Sequence, residues 1–265
     1  MIETILLLLG IGLASGTVGA MFGIGGGIFT GPVLAILGFS PIQVASTSLI
    51  SVTFTSASST IAYSKQKRIE YKIAVKLAAF SMPGAVIGAF ISSTISLQYF
   101  KALFAIVLVF SALQIAYKGY NYKLENGEGK EGEKISRKRQ ILLFYIGSFF
   151  AGVVSSIFGI GGGIIFVPLM IFVFHISMMK AAPTSQLTLL ITSLAGTASH
   201  LFLGHFYYVY ASILSIGSII GAQIGVRLFL KSRENLLQRL YALLLLGIAG
   251  KLIFDAIYPT YFANQ

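Results

Sequence analysis

The chain has 265 residues, 56% of them hydrophobic and only 10% charged, whereas an ordinary soluble domain carries about a quarter of its residues as charges; the composition is that of a membrane protein. Its 29 glycines, 21 phenylalanines and 13 tyrosines lie on continuous apolar runs, which suit packed helices and exclude the short alternating strands of a transmembrane barrel. A net charge of +11 would suggest nucleic acid in a soluble protein, but here it asks on which side of the membrane the basic residues lie, and the absence of cysteine excludes disulfides and thiolate metal sites.

The first Lys or Arg is Lys65, so the opening apolar run lacks the basic leader of a secretory signal and is expected to be a retained helix. Runs long enough to cross a hydrocarbon core of roughly 30 Å fall at 2–22, 42–64, 71–95 and 97–118, and again at 140–158, 180–203, 207–230 and 234–257. Two shorter apolar stretches, 27–38 and 163–176, follow the first member of each set and are too short to cross untilted. The polar interval 119–138 separates the sets as a solvated linker, which gives a first transmembrane repeat at 1–118 and a second at 139–265. The expected fold is all-α and polytopic.

An internal repeat supports this division. At an offset of 136, Phe22-Gly23-Ile24-Gly25-Gly26-Gly27-Ile28 coincides with Phe158-Gly159-Ile160-Gly161-Gly162-Gly163-Ile164, and Pro32 with Pro168. At 137, Thr47-Ser48 falls on Thr184-Ser185, Ser56 on Ser193, Thr60 on Thr197, and Gly84 and Gly88 on Gly221 and Gly225. Chance similarity of apolar helices can imitate composition but not register over about a hundred residues.

The basic residues orient the repeats. Lys65, Lys67, Arg68, Lys72 and Lys76 follow the helix at 42–64, while the matching loop of the second half, Leu203-Gly204-His205-Phe206, has no Lys or Arg. One loop later the bias reverses: Ser93 to Gln98 has none, and its counterpart carries Arg227, Lys231, Arg233 and Arg239. With the linker cluster and Lys180, one arrangement puts 17 of the 19 basic residues on one side, which is cytoplasmic by the positive-inside rule. Corresponding loops then face opposite sides, so the repeats are expected to have inverted topology, each with four long helices and a short half-helix after a glycine-rich break. Both termini are expected outside, and the linker in the cytoplasm.

A glycine costs a helix interior roughly 1 kcal/mol relative to alanine, so Gly23 to Gly27 and Gly159 to Gly163 should interrupt their helices. Backbone left unpaired in lipid is tolerated only where protein or a polar cavity satisfies it. The half-helices are therefore expected to direct their N-termini inward, and free N–H groups at the positive end of a helix dipole make an anion site. The candidate substrate-binding residues are Gly25, Gly26, Gly27, Gly161, Gly162 and Gly163, joined by Thr47, Ser48, Thr184, Ser185 and Gln186 early in the following helices. The hydroxyls have an alternative employment in capping or in bonding back to helix carbonyls. Gln186 is matched by Leu49 in the first half, so a ligand is expected to meet an amide from one half only. The four-residue spacings Gly12/Gly16, Gly84/Gly88 and Gly217/Gly221/Gly225 read instead as close helix packing. Lys251 and Asp255, at i and i+4, are expected to pair locally. His175, His200 and His205 share no metal-binding spacing and read as interfacial polar residues.

Two copies of F-G-I-G-G-G-x-x-x-x-P, Phe22 to Pro32 and Phe158 to Pro168, on a duplicated polytopic chain resemble the sulfite exporter TauE/SafE family of membrane permeases. The resemblance covers nearly the whole chain and implies transport of small sulfur-containing or organic anions such as sulfite, thiosulfate or sulfonates. A secondary transporter at the plasma membrane, working by alternating access, is the leading expectation, and a passive anion channel with the same half-helix site is the alternative. No nucleophile and base pair suggests an enzyme, and no P-loop suggests ATP-driven transport. The expected partners are a small anion, the bilayer and a coupling proton or sodium ion, with no cofactor, no metal and no nucleic acid.

Overall fold

In a computed structural model, residues 2–94 and 137–234 are described apart from 175 and 206, together with part of the segment 236–250. The fourth helix expected in the first repeat, nearly all of the linker, His175, Lys251 and Asp255 lie outside the described residues. The described chain is helical, with no strand among the described residues: α1 (Ile2–Phe22), α2 (Gly27–Ile36), α3 (Pro41–Lys65), α4 (Tyr71–Ser92), α5 (Arg137–Phe158), α6 (Gly163–Val173), α7 (Met178–Phe202) and α8 (Tyr208–Lys231). The described residues between 234 and 250 are helical as well.

Local chemistry sets these boundaries. Ser40 caps α3 in a capping box, its hydroxyl accepting from the Gln43 amide while the Ser40 amide donates to Gln43 Oε1 at 2.8 Å, and Pro41 occupies the first helical position, where no N–H is needed. At the matching place before α7, Ser177 makes no side-chain cap; the Met178 amide donates instead to Glu234 Oε1 at 2.8 Å. The half-helices α2 and α6 have 10 and 11 residues and each carries a proline, Pro32 and Pro168.

Packing follows the order α1, α8, α3, α7, α4, α5. The first helix of each repeat thus packs against a helix of the other repeat, α1 on α8 and α5 on α4, so the repeats interleave. Small residues make this close approach attainable: a Cβ on Gly12 or Gly16 would strike the Leu214 or Ser218 carbonyl, and one on Gly84 or Gly88 the Phe149 or Val153 carbonyl. Gly217, Gly221 and Gly225 meet Leu9, Leu13 and Thr17 in the same way, as close packing at four-residue spacings requires. The contacts run parallel within α1/α8 and α4/α5. At the centre α3 and α7 cross antiparallel, with Leu49 near Gly196, Thr53 bonded to Thr197 and Ser59 to Gln186.

Hydrophobicity is distributed accordingly. The flanking helices α1, α4 and α8 are long and apolar enough to cross a membrane, and expose Leu6, Phe80, Phe90 and Ile216 outward. The central α3 and α7 are rich in serine and threonine, and those hydroxyls are largely buried against protein rather than turned to lipid.

Candidate functional site

The two glycine loops meet at the middle of the molecule. Gly23, Gly25 and Gly26 have φ of 75°, 80° and 89°, and Gly159, Gly161 and Gly162 have 68°, 85° and 77°, a left-handed backbone that side chains disfavour. Gly26 and Gly162 stand as the N-caps of α2 and α6 in this conformation. The amides of Gly27 and Ile28, and of Gly163 and Ile164, begin first turns, where an α-helix supplies no acceptor of its own.

The loops abut reciprocally. A Cβ on Gly27 would strike the Gly159 carbonyl, and one on Gly163 the Gly23 carbonyl. Gly25 and Gly161 each lie against both Val52 and Leu189, which are themselves equivalent residues of α3 and α7. A Cβ on Gly26 would come within 2.7 Å of the Ser15 carbonyl oxygen, and one on Gly162 within 2.8 Å of that of Ala151. Protein backbone, and not only an open ligand space, therefore demands glycine at these two positions.

The other candidates divide sharply. In α7 each is already employed: Thr184 Oγ1 accepts from the Glu70 amide at 3.0 Å and donates to the Lys180 carbonyl at 2.6 Å. Ser185 Oγ donates to the Gly23 carbonyl at 2.6 Å. Gln186 is fully buried, its Nε2 donating to the Gly19 carbonyl at 2.6 Å and its Oε1 accepting from Ser59 Oγ at 2.9 Å. In α3, by contrast, Thr47 and Ser48 are fully buried and their hydroxyl oxygens have no hydrogen-bond partner. Ser48 packs directly on Gly159, its Cβ 2.8 Å from where a Cβ on that glycine would stand. The same orphan state holds for Ser155, one turn before Gly159, and for Ser56 and Thr60 farther along α3. A buried polar atom left unpaired costs about 1–3 kcal/mol, so Ser48 against Gly159 and Ser155 one turn before it call for a partner that is not protein.

No lysine, arginine, aspartate or glutamate among the described residues is buried. Lys180 Nζ pairs with Glu70 Oε1 at 2.6 Å and ties the start of α7 to the α3–α4 turn.

Register alone could have revealed two further features. Tyr63 and His200 are equivalent at the 137 offset, and each bonds an equivalent carbonyl: the Tyr63 hydroxyl donates to Ala20 at 3.0 Å, and His200 Nε2 lies 3.1 Å from that of Ser156. Both residues are buried. Gly19 and Ser59, the partners of Gln186, carry no signal of their own in the sequence.

With the paired loops in view, the sequence comparisons decide the relationship: the pattern of the sulfite exporter TauE/SafE family matches residues 8–252. The chain belongs to that family. A "Probable membrane transporter protein" YunE of Bacillus subtilis is 29% identical over 268 residues, covering 95% of this chain and 98% of the relative. One from Methanocaldococcus jannaschii is 27% identical over 265 residues, covering 92% and 93%. A Haemophilus influenzae protein of the same description reaches 32% identity over 189 residues, covering 70% of this chain and 65% of its own. No solved structure matches the chain. The family is one of membrane transporters and not an enzyme class, and this TauE/SafE protein is a membrane transporter of that type.

Proposed function

We propose that this TauE/SafE protein is a secondary transporter that exports small sulfur-containing or organic anions, such as sulfite, thiosulfate or sulfonates, by alternating access between two inverted repeats. The observation that carries the proposal is the reciprocal meeting of the two glycine loops beside the unpartnered hydroxyls of Thr47, Ser48 and Ser155. Two half-helix N-termini supply amide donors and positive dipole ends, and the hydroxyls supply donors without fixed charge. Such donors give an anion modest affinity, which suits release.

The inverted arrangement is supported by the antiparallel crossing of α3 and α7, since equivalent elements run in opposite directions there. It is supported also by the ties of Glu70 to Lys180 and of Met178 to Glu234, which join ends rich in basic residues. Because the repeats interleave, the rocking bodies are α1, α3 and α8 against α4, α5 and α7, with Val52 and Leu189 at the pivot.

Uptake of radiolabelled sulfite, thiosulfate and organic sulfonates into proteoliposomes, with and without proton or sodium gradients, tests this. Saturable flux with counterflow is expected. Flux that neither saturates nor shows counterflow would make the protein a channel, and no flux of any anion would end the proposal. A reporter near Gly129 should lie in the cytoplasm and one after Gln265 outside; finding both on one side would break the inverted arrangement.

A further inference from the structure

Away from the glycine loops, a cavity of about 140 Å³ opens between α4, α5 and the end of α6, well above the roughly 10–15 Å³ that admits one water. Lys72, Ile73 and Lys76 form one wall, and Phe144, Tyr145 and Phe174 the others. The lysines are one helical turn apart and so share a face, and neither has an ion-pair partner among the described residues. The aromatic wall is itself ordered, with Phe144 edge-on to Phe174 at 5.0 Å and Tyr145 against Phe80 at 4.1 Å. Around the mouth Tyr71, Val75, Phe80 and Leu142 are exposed, and in a bilayer such side chains face acyl chains.

The fold does not impose this chemistry. At the repeat offsets the six lining residues correspond to Val209, Tyr210, Ile213, Leu8, Leu9 and Gly38, a set without charge and with one ring in place of three. A ligand matching the cavity must bring negative charge to two ammonium groups and an apolar body to the surface outside. We propose that the cavity holds the phosphate headgroup of an anionic phospholipid, with its chains lying along α4 and α5. Basic pockets between membrane helices recognise such headgroups. On the topology proposed above this lipid lies in the cytoplasmic leaflet, and the binding itself does not rest on that topology.

The test is thermal unfolding of the purified full-length protein in neutral detergent with phosphatidylglycerol or phosphatidylcholine added. Phosphatidylglycerol should raise the Tm and phosphatidylcholine should not. The Lys72→Ala/Lys76→Ala variant should need about thirtyfold more phosphatidylglycerol for the same shift, the fold-change equivalent to ~1 kcal/mol per lysine. Lys72→Arg/Lys76→Arg should keep most of the effect, and Lys65→Ala/Lys67→Ala, outside the cavity, all of it. If the double alanine variant is not recovered, Lys76→Gln alone should show about a fivefold loss on the same scale. Equal stabilisation of wild type and the Lys72→Ala/Lys76→Ala or Lys76→Gln variant would overturn the proposal. So would an equal shift from inorganic phosphate at the same concentration, which would make the ligand a soluble anion. The assay is blind to sidedness and flux, so failure of the transport proposal would leave its outcome unaffected.

Discussion

Gln186 and Leu49 are each the ninth residue of a central helix, α7 and α3, yet their surroundings are opposite. Both ends of the Gln186 amide are engaged, joining the Gly19 carbonyl to the Ser59 hydroxyl and thereby α7 to both α1 and α3. Around Leu49 the corresponding positions hold Ser155 and Gly196, the leucine packs where a Cβ on Gly196 would lie, and the nearby hydroxyls of Thr47, Ser48 and Ser155 have no partner. Of these two equivalent places, each built from both repeats, one seats an amide bonded on both sides and the other a leucine beside open hydroxyls. Duplication supplies two equivalent frames, and a few substitutions turn one into a fastening and the other into the place proposed for an anion.

The comparison rests on loops pressed together by backbone, and breaking that contact should have the largest effect. Gly27→Val and Gly163→Val would each drive a side chain into the opposite loop, and loss of folded protein on size-exclusion chromatography is expected from both. Gly10→Ala, with nothing within 4 Å of the added carbon, should fold and gain up to about 1 kcal/mol from helix propensity. Wild-type stability of Gly163→Val would mean that the loops do not abut.

Next comes the fastening. Gln186→Leu deletes two hydrogen bonds, about 0.5–1.5 kcal/mol each, so a loss of roughly 1–3 kcal/mol should appear in thermal unfolding. Ser59→Ala removes one of the same bonds, so the double variant should lose less than the sum of the two. Strict additivity would separate Ser59 from the network. Tyr63→Phe, losing only its bond to the Ala20 carbonyl, should cost about 1 kcal/mol. Smallest of all, Glu70→Gln breaks an ion pair whose side chains are 41% and 59% exposed, so a change of no more than about 0.5 kcal/mol, erased by salt, is expected.

Helix positions were largely legible in the sequence because their signals are local. Paired triple-glycine runs stop α1 and α5, and Ser40-Pro41 starts α3 within one residue of the expected place. The candidate site was legible as a region but not in its division of labour. Whether a hydroxyl at Thr47 or Thr184 faces protein depends on groups far along the chain: Thr184 finds the Glu70 amide, 114 residues away, and Gln186 finds Gly19, 167 residues away. Periodicity gives the face of a helix and is silent about which distant atom meets it. The interleaving of the repeats was hidden for the same reason, since Gly12 and Gly217 signal a close approach without naming α8 or α1 as the neighbour.

The measurement that bears most directly on the anion site is half-saturation in proteoliposomes, using whichever of sulfite, thiosulfate or an organic sulfonate gives saturable flux. Thr47→Val/Ser48→Ala removes donors that no protein group uses, and a hydrogen bond to a charged group contributes roughly 1.5–3 kcal/mol, so half-saturation should rise about ten- to a hundredfold. Gln186→Leu, assayed on the folded fraction, should leave it unchanged. The reverse pattern, with affinity lost on replacing Gln186 and kept on replacing Thr47 and Ser48, would place the anion beside Gln186 and contradict the account.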